Sequence, residues 1–468
     1  YGMIENINAK SVKGSEMVMS KSLGDKDWYG LITTYSNQSW DCVDWFLGMD
    51  FRYYTSLHKN TISDLFGGEY YIDPARNGVD IQHNPQATAA WKQQHLKVGD
   101  AVYRDFDTHI MQEGLFGQAE YSKGKINTFI SGSLNYSDFW RYDRFYNTGD
   151  NAQSKKVGFW GGYIKSGINY RLNPNHNIYL NVGFNSKVPQ FRSGVFMSSN
   201  TSNVINKMAR NEKSTTIEGG YSYNNALYSF KANAYYTRWM DKSMTKQGSI
   251  NDPYYINMTG VNSKHLGVEL EFTAKPLHWM EAGAMLSVGN WRWDSNDVIG
   301  YAYNVYGQAI NEAGAITEPG ASDHIWAKIN MKDTHIGGSA QTTAALNVTF
   351  KPFTGLRIGS GYTYYDRNYA FYTLSGSSLK LGQELYLAEP WEIPAHGNLE
   401  LWGSYQFKIG KMRATISGLA SNLLNEYYIE KAWDPSMVSK ASQNSNKDNV
   451  YYFYSVGRTW SVKLKLNF

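Results

Sequence analysis

The sequence predicts an all-β fold: a transmembrane, antiparallel, up-and-down β-barrel with about 15–16 strands present. Three observations predict it. At the carboxy terminus Trp460, Val462, Leu464, Leu466 and Phe468 fall on one face of a strand, and Thr459, Ser461, Lys463, Lys465 and Asn467 on the other. Such a strand suits a wall with lipid on one side and a wet lumen on the other, although alone it equally fits a half-buried strand of a soluble sandwich. Second, one unit recurs from about Tyr29 onward: strand, short turn, strand, long polar loop. Third, the 468 residues include 37 Tyr and 15 Trp but only 18% charged residues. Tyr and Trp favour membrane interfaces, and soluble domains typically carry about 25% charge.

The hairpins follow in order. Leu115 to Tyr121 turns at Ser122-Lys123-Gly124 into Thr128, Ile130 and Leu134. Ile164 to Leu172 turns at Asn173-Pro174-Asn175 into Ile178, Leu180, Val182 and Phe184. Ile217 to Tyr223 turns at Asn224-Asn225 into Tyr228, Phe230, Ala232 and Ala234. Leu266, Val268, Leu270 and Phe272 lead through Lys275-Pro276 to Met280, Ala282, Ala284, Leu286 and Val288. Leu346, Val348 and Phe350 lead through Lys351-Pro352 to Leu356, Ile358, Tyr362 and Tyr364. Proline is tolerated there because a turn needs no ladder donor. Leu399, Leu401, Tyr405 and Phe407 turn at Ile409-Gly410-Lys411 into Met412, Ala414 and Ile416, with Gly410 supplying the permissive backbone. The segment 16–21 is a candidate sixteenth strand.

Long loops at about 56–107, 139–156, 187–213, 241–260, 294–336, 367–394 and 429–448 separate the hairpins. Strict alternation of short and long connections puts all short turns at one end of the barrel and all long loops at the other. Loops of this length on so many hairpins are unusual in a soluble all-β protein.

Other classes are disfavoured. No apolar run is long enough for a membrane-spanning helix, and a mean hydropathy of −0.51 is compatible with a barrel whose lumen is polar. A net charge of +4, spread along the chain, does not imply nucleic acid. Cys42, the only cysteine, excludes an internal disulfide and a cysteine-rich metal site. The ten histidines show no metal-ligand spacing, Asp294-Ser295-Asn296-Asp297 lacks the downstream Glu of a calcium loop, and no Walker or G-x-S-x-G motif occurs. No metal, cofactor or enzymatic activity is expected.

Candidate binding residues are the aromatics at the long-loop ends: Trp291, Trp293, Tyr301, Tyr303, Tyr306, Tyr364, Tyr365, Tyr369 and Tyr372. Exposed rings stack on sugars, macrocycles and other flat ligands; the competing role is the aromatic girdle of a membrane wall. Glu269, Glu271, Glu400, Lys408, Arg413, Lys463 and Lys465 are expected to face the lumen, where plain solvation is the default role.

Four segments resemble the carboxy-terminal barrel of TonB-dependent outer-membrane transporters, in particular the Bacteroidota type. Asn211-Glu212-Lys213-Ser214 with Glu218-Gly219-Gly220-Tyr221 is similar to the family's Pro-Glu-Lys-Ser stretch and E-x-G-Y strand, with Asn in place of Pro. Gly267-Val268-Glu269-Leu270-Glu271 with Lys275-Pro276 resembles its Gly-Val-Glu strand and periplasmic turn. Asn422-Leu423-Leu424-Asn425-Glu426-Tyr427-Tyr428 resembles the motif of its penultimate strand. The stretch from Gly457 onward resembles the family ending, with Trp460 and Phe468 as the barrel-assembly signal. The resemblance implies a 22-stranded barrel around an amino-terminal plug. Neither plug nor TonB box is found, so 1–468 is expected to be a partial barrel domain without the plug and first strands. It further implies uptake of a scarce, bulky nutrient (siderophore, haem, cobalamin, peptide or glycan) across the outer membrane of a Gram-negative bacterium, with long loops extracellular. The implied partners are outer-membrane lipid, the TonB–ExbB–ExbD complex through the missing plug, and a surface lipoprotein lid. The alternatives are a passive porin and a barrel scaffold in an outer-membrane complex; alternation alone fits all three.

Overall fold

The computed structural model describes residues 13–192, 194–197, 203–250, 252–372, 381–434, 438–439 and 450–467. Fifteen long strands build its wall. They are β1 (Lys26–Trp40), β2 (Val43–Asp64), β3 (Ala101–Lys123), β4 (Ile126–Asp143) and β5 (Val157–Asn173). Next come β6 (His176–Lys187), β7 (Glu212–Asn224), β8 (Tyr228–Ile250), β9 (Asp252–Leu277) and β10 (Met280–Trp293). The last are β11 (Ala340–Phe350), β12 (Leu356–Tyr369), β13 (His396–Ile409), β14 (Met412–Ser421) and β15 (Thr459–Asn467). Each pairs antiparallel with the next, in sequence order. A short strand, Met19–Leu23, pairs with the loop-side end of β2.

The strands lie where the alternation puts them, and the short turns fall at one end. Gly124 and Gly410 sit in tight turns at φ 59°, a backbone that a side chain disfavours. One turn differs from expectation. β9 runs to Leu277 and turns at 278–279, so Lys275-Pro276 is not the turn itself. Those residues occupy a register shift between Ala274 and Leu277, an interrupted ladder that tolerates a residue with no N–H.

One face of the wall is apolar and uncovered. Leu266, Val268, Leu286, Val288, Leu346 and Ile358 are all exposed. Register aligns them in rows: Ile217–Tyr236–Leu266 above, and Tyr223–Phe230–Phe272–Ala284–Leu346–Tyr362 below. From Tyr236 to Tyr228 is roughly 26 Å of strand, which a tilt of about 40° reduces to about 20 Å of height, of the order of a barrel's apolar band. Aromatic contacts mark its borders, with Tyr53, His109 and Trp140 stacked near the loop end and Tyr35 against Trp45 near the turn end.

The buried apolar clusters lie beyond the wall, among the long connections. β8 and β9 continue as one hairpin past Trp239 and Ser263 to their tip, about 35 Å of extra ribbon at ~3.3 Å per residue. Tyr254, Ile256 and Met258 of that ribbon pack against Val298–Asn304, Trp326–Asn330 and Glu384–Leu387. The stretches 241–260 and 294–336, read from sequence as loops, thus carry an outer subdomain with its own core.

Among the described residues no ladder joins β1 to β15. β15 is exposed along its whole length, with Trp460 at 81%. Among the described residues, β1 and β15 therefore each have one ladder partner in the wall.

Candidate functional site

The face opposite the apolar rows is polar and hydrogen-bonded strand to strand. The Tyr179 hydroxyl donates to Asn233 Oδ1 at 3.0 Å, and Asn181 Nδ2 to Glu218 Oε1 at 2.9 Å. Asn233 Nδ2 lies 3.4 Å from Glu269 Oε2, and Lys231 Nζ lies 3.1 Å from Glu271 Oε2. Higher on the same face Trp291 Nε1 donates to the Tyr235 hydroxyl at 3.0 Å, and the Trp291 ring lies 5.6 Å from that of His265. Glycine makes room for these rings. A Cβ on Gly267 would come within 2.7 Å of the Tyr235 ring and one on Gly220 within 2.6 Å of the Tyr179 ring, so each aromatic lies against the neighbouring backbone. The result is an aromatic ledge above two carboxylates, able to stack on a flat solute and accept its hydrogen bonds.

The last strands carry the cations on the same face. Lys408 pairs with Arg413, Lys465 lies opposite Thr415, and Lys463 opposite Ser417. Glu400, higher on β13, accepts from Ser421 Oγ at 2.7 Å. The seven polar residues expected on the lumen side thus share one face but form separate groups, Glu269 and Glu271 on β9, and on β13–β15 the cations Lys408, Arg413, Lys463 and Lys465 with Glu400 above them. Among the described residues no three His, Cys, Asp or Glu side chains come together as metal ligands.

The loop aromatics divide differently. Tyr301 stacks on His324 at 4.9 Å and Tyr303 meets its edge at 5.2 Å. His324 is itself buried, with Nε2 2.9 Å from the Ala302 carbonyl. Burial pushes the Tyr303 hydroxyl to ionise above its ordinary range. Tyr306 reaches another loop altogether: its hydroxyl accepts from the Asp80 N–H at 2.7 Å and donates to the Gly78 carbonyl at 3.1 Å, and its ring lies 4.0 Å from that of His83. Tyr369 is buried and stacks on His335 at 4.2 Å, while His335 Nδ1 bonds the Glu389 carboxylate. Trp293 packs against the core of the outer subdomain. Tyr364 and Tyr365 lie within β12 on opposite faces; Tyr364 joins the apolar row of Leu286 and Ala344, and Tyr365 contacts His396 at 5.3 Å. The Tyr372 side chain and Phe468 lie outside the described residues.

Two features escaped sequence reasoning. One is the linkage of loops into a canopy: besides Tyr306, Asn84 Nδ2 donates to the Phe145 carbonyl and Asn203 Nδ2 to the Ala152 carbonyl. The other is the exposed set Tyr427, Trp433, Tyr451, Phe453 and Tyr454. The run Tyr-Tyr-Phe-Tyr at 451–454 was its visible signal.

Against this geometry, residues 11–423 match the family model described as "TonB dependent receptor-like, beta-barrel". The chain belongs to the TonB-dependent receptor family. This is an outer-membrane transporter and receptor family of Gram-negative bacteria, and the large antiparallel sheet with almost no helix accords with it. Solved receptor structures share the fold. The copper transporter OprC aligns with a TM-score of 0.59 at 12% identity, over 95% of this chain and 57% of its own. The unliganded ferric citrate transporter FecA gives 0.57 at 12% identity, over 97% and 56%. BauA, the ferric preacinetobactin receptor from Acinetobacter baumannii, gives 0.55 at 10% identity, over 96% and 55%. The receptor chain thus spans little more than half the length of these structures. No curated protein matches it in sequence.

Proposed function

We propose that the chain forms wall and outer loops of a receptor that takes up a scarce, bulky nutrient by TonB-dependent active transport. Family membership over residues 11–423 carries this reading. The partial span of the matched structures supports reading 1–468 as part of a larger wall. Further strands complete it to 22, and an amino-terminal plug fills it and contacts TonB–ExbB–ExbD. The long loops face the cell exterior, where a surface lipoprotein lid of the Bacteroidota kind covers them. Ligand meets the canopy and the aromatic ledge of Tyr235, His265 and Trp291, with Glu269 and Glu271 beneath. The ligand is a siderophore, haem, cobalamin, peptide or glycan.

The test is uptake by intact cells with and without the chain, over a panel of these ligands, each with and without a protonophore. The reading predicts loss of one ligand class on deletion and abolition of its uptake by the protonophore. Size-limited entry indifferent to the protonophore contradicts it in favour of a porin; normal uptake with loss of co-purifying subunits favours a scaffold.

A further inference from the structure

At the turn end of the wall the polar face is cationic. Arg357 on β12 lies opposite Ser404 on β13, Ser404 opposite Ser417 on β14, and Ser417 opposite Lys463 on β15. Two residues nearer the turns, Gln406, Thr415 and Lys465 form the next row. Beside them, the connection 351–355 between β11 and β12 borders a groove of about 610 Å³, the size of a small-molecule site. Its lining includes His278, Lys351, Arg357, Ser404, Gln406 and Thr415.

Little negative charge answers these cations. Glu281 accepts a hydrogen bond from Lys351 and lies 3.9 Å from Lys275. Among the described residues Arg357 forms neither an ion pair nor a side-chain hydrogen bond, and Lys463 and Lys465 form no ion pair. Arg357 is exposed, so its fork of N–H donors is open to a solute. Ser404, Gln406 and Thr415 place neutral donors around it.

The groove also has an apolar neighbour. Trp402, two residues from Ser404 on the same face, lies against β12, where a Cβ on Gly359 would come within 2.4 Å of its ring. A guanidinium fork, an ammonium and neutral donors next to a flat ring complement a compact organic acid, with oxygens for the donors and a carbon skeleton for the ring. A lone inorganic ion would use Arg357 and leave most of the groove empty. Lys463 and Lys465, about 7 Å apart along β15, extend the positive field beyond the groove and favour a ligand with more than one anionic group.

We propose that this groove binds a small organic acid carrying two or more carboxylates, one on the Arg357 fork and another on Lys351 and the hydroxyl donors. The proposal rests on reading the polar face as a wet lumen, and it adds the chemistry of a solute held at the turn side of that lumen.

The test is isothermal titration calorimetry of the full protein in detergent with tricarballylate, inorganic phosphate and the uncharged tricarballylamide. Tricarballylate is expected to bind once per chain and more weakly as salt is added, and the amide to give no binding heat. Arg357→Gln is expected to weaken tricarballylate on the order of tenfold at unchanged melting temperature, because the side chain has no partner within the fold. Glu281→Gln, which frees Lys351 from its carboxylate, is expected to tighten binding severalfold, a gain that a merely structural role for these residues does not produce. Equal binding by the Arg357 variant, no gain with Glu281→Gln, or no tricarballylate binding at all overturns the proposal. Phosphate binding as tightly as tricarballylate overturns it in favour of an inorganic-anion site. Ser404→Cys, in a Cys42→Ser background, that resists a membrane-impermeant thiol reagent with both sides of the membrane open contradicts the lumen reading itself, a separate result from a labelled site that binds no acid.

Discussion

Tyr306 joins segments 226 residues apart with one hydroxyl, used as both acceptor and donor. Replacing it by Phe keeps the ring against His83 but strands the Asp80 N–H. The expected cost is about 1 kcal/mol, confined to the canopy. Amide exchange around 78–83 should accelerate several-fold while global melting stays unchanged; unaltered exchange would mean the loops are held by other contacts. Asp333 gives a pH signature at the same scale. Its hydrogen bond and ion pair with Lys264 hold its carboxyl below the ordinary 3.8. A depressed folded value contributes stability above the unfolded value, lost as pH falls through the folded one. Asp333→Asn should therefore lower stability slightly at neutral pH, with the difference shrinking as pH falls below the ordinary carboxylate range, followed by denaturant melts across that range. With its side chain 57% exposed the effect is small and should shrink further in salt.

Among the elements, the outer subdomain has a core that the wall lacks. Ile329 is fully buried between Val298–Asn304 and Glu384–Leu387. Ile329→Ala should cost about 2–5 kcal/mol by leaving a cavity. The loss should appear as early local unfolding of that layer, with the wall ladders still protected from exchange; simultaneous loss of both would show that layer and wall melt as one unit. The contrast also explains what was legible in the sequence. Wall strands print a period of two because one side meets apolar surroundings and the other polar, so Leu266 to Phe272 and Met412 to Ala420 could be read directly. The outer strands alternate in burial too, but their residues do not print it: Val298–Asn304 and Trp326–Asn330 are short, and their less buried face carries Ile299, Tyr301, Tyr303 and Trp326, so apolar and aromatic residues fall on both sides. Their partners, Glu384–Leu387 and the tip of β9, are distant in sequence, and local patterning cannot announce them. For the same reason Glu269 and Lys465 were placeable on a face, but the clasp of Tyr306 onto 78–83 was not.

For the whole molecule, an inside-out sheet explains most of the sequence. Apolar side chains cover the outside, Asn, Ser, Gly and a few charges line the inside, and aromatics border the apolar band. Such a sheet is stable only where its apolar face is kept from water, which ties fold to membrane. The most direct measurement is thiol accessibility in outer membranes. In a Cys42→Ser background, single cysteines are placed at adjacent wall positions, Leu270→Cys and Glu271→Cys on β9 and Leu286→Cys and Ser287→Cys on β10, and treated with a membrane-impermeant thiol reagent after opening both sides of the membrane. The account predicts protection of the cysteines at 270 and 286 and labelling of those at 271 and 287. Uniform labelling, or the inverse pattern, would contradict a lipid-facing wall.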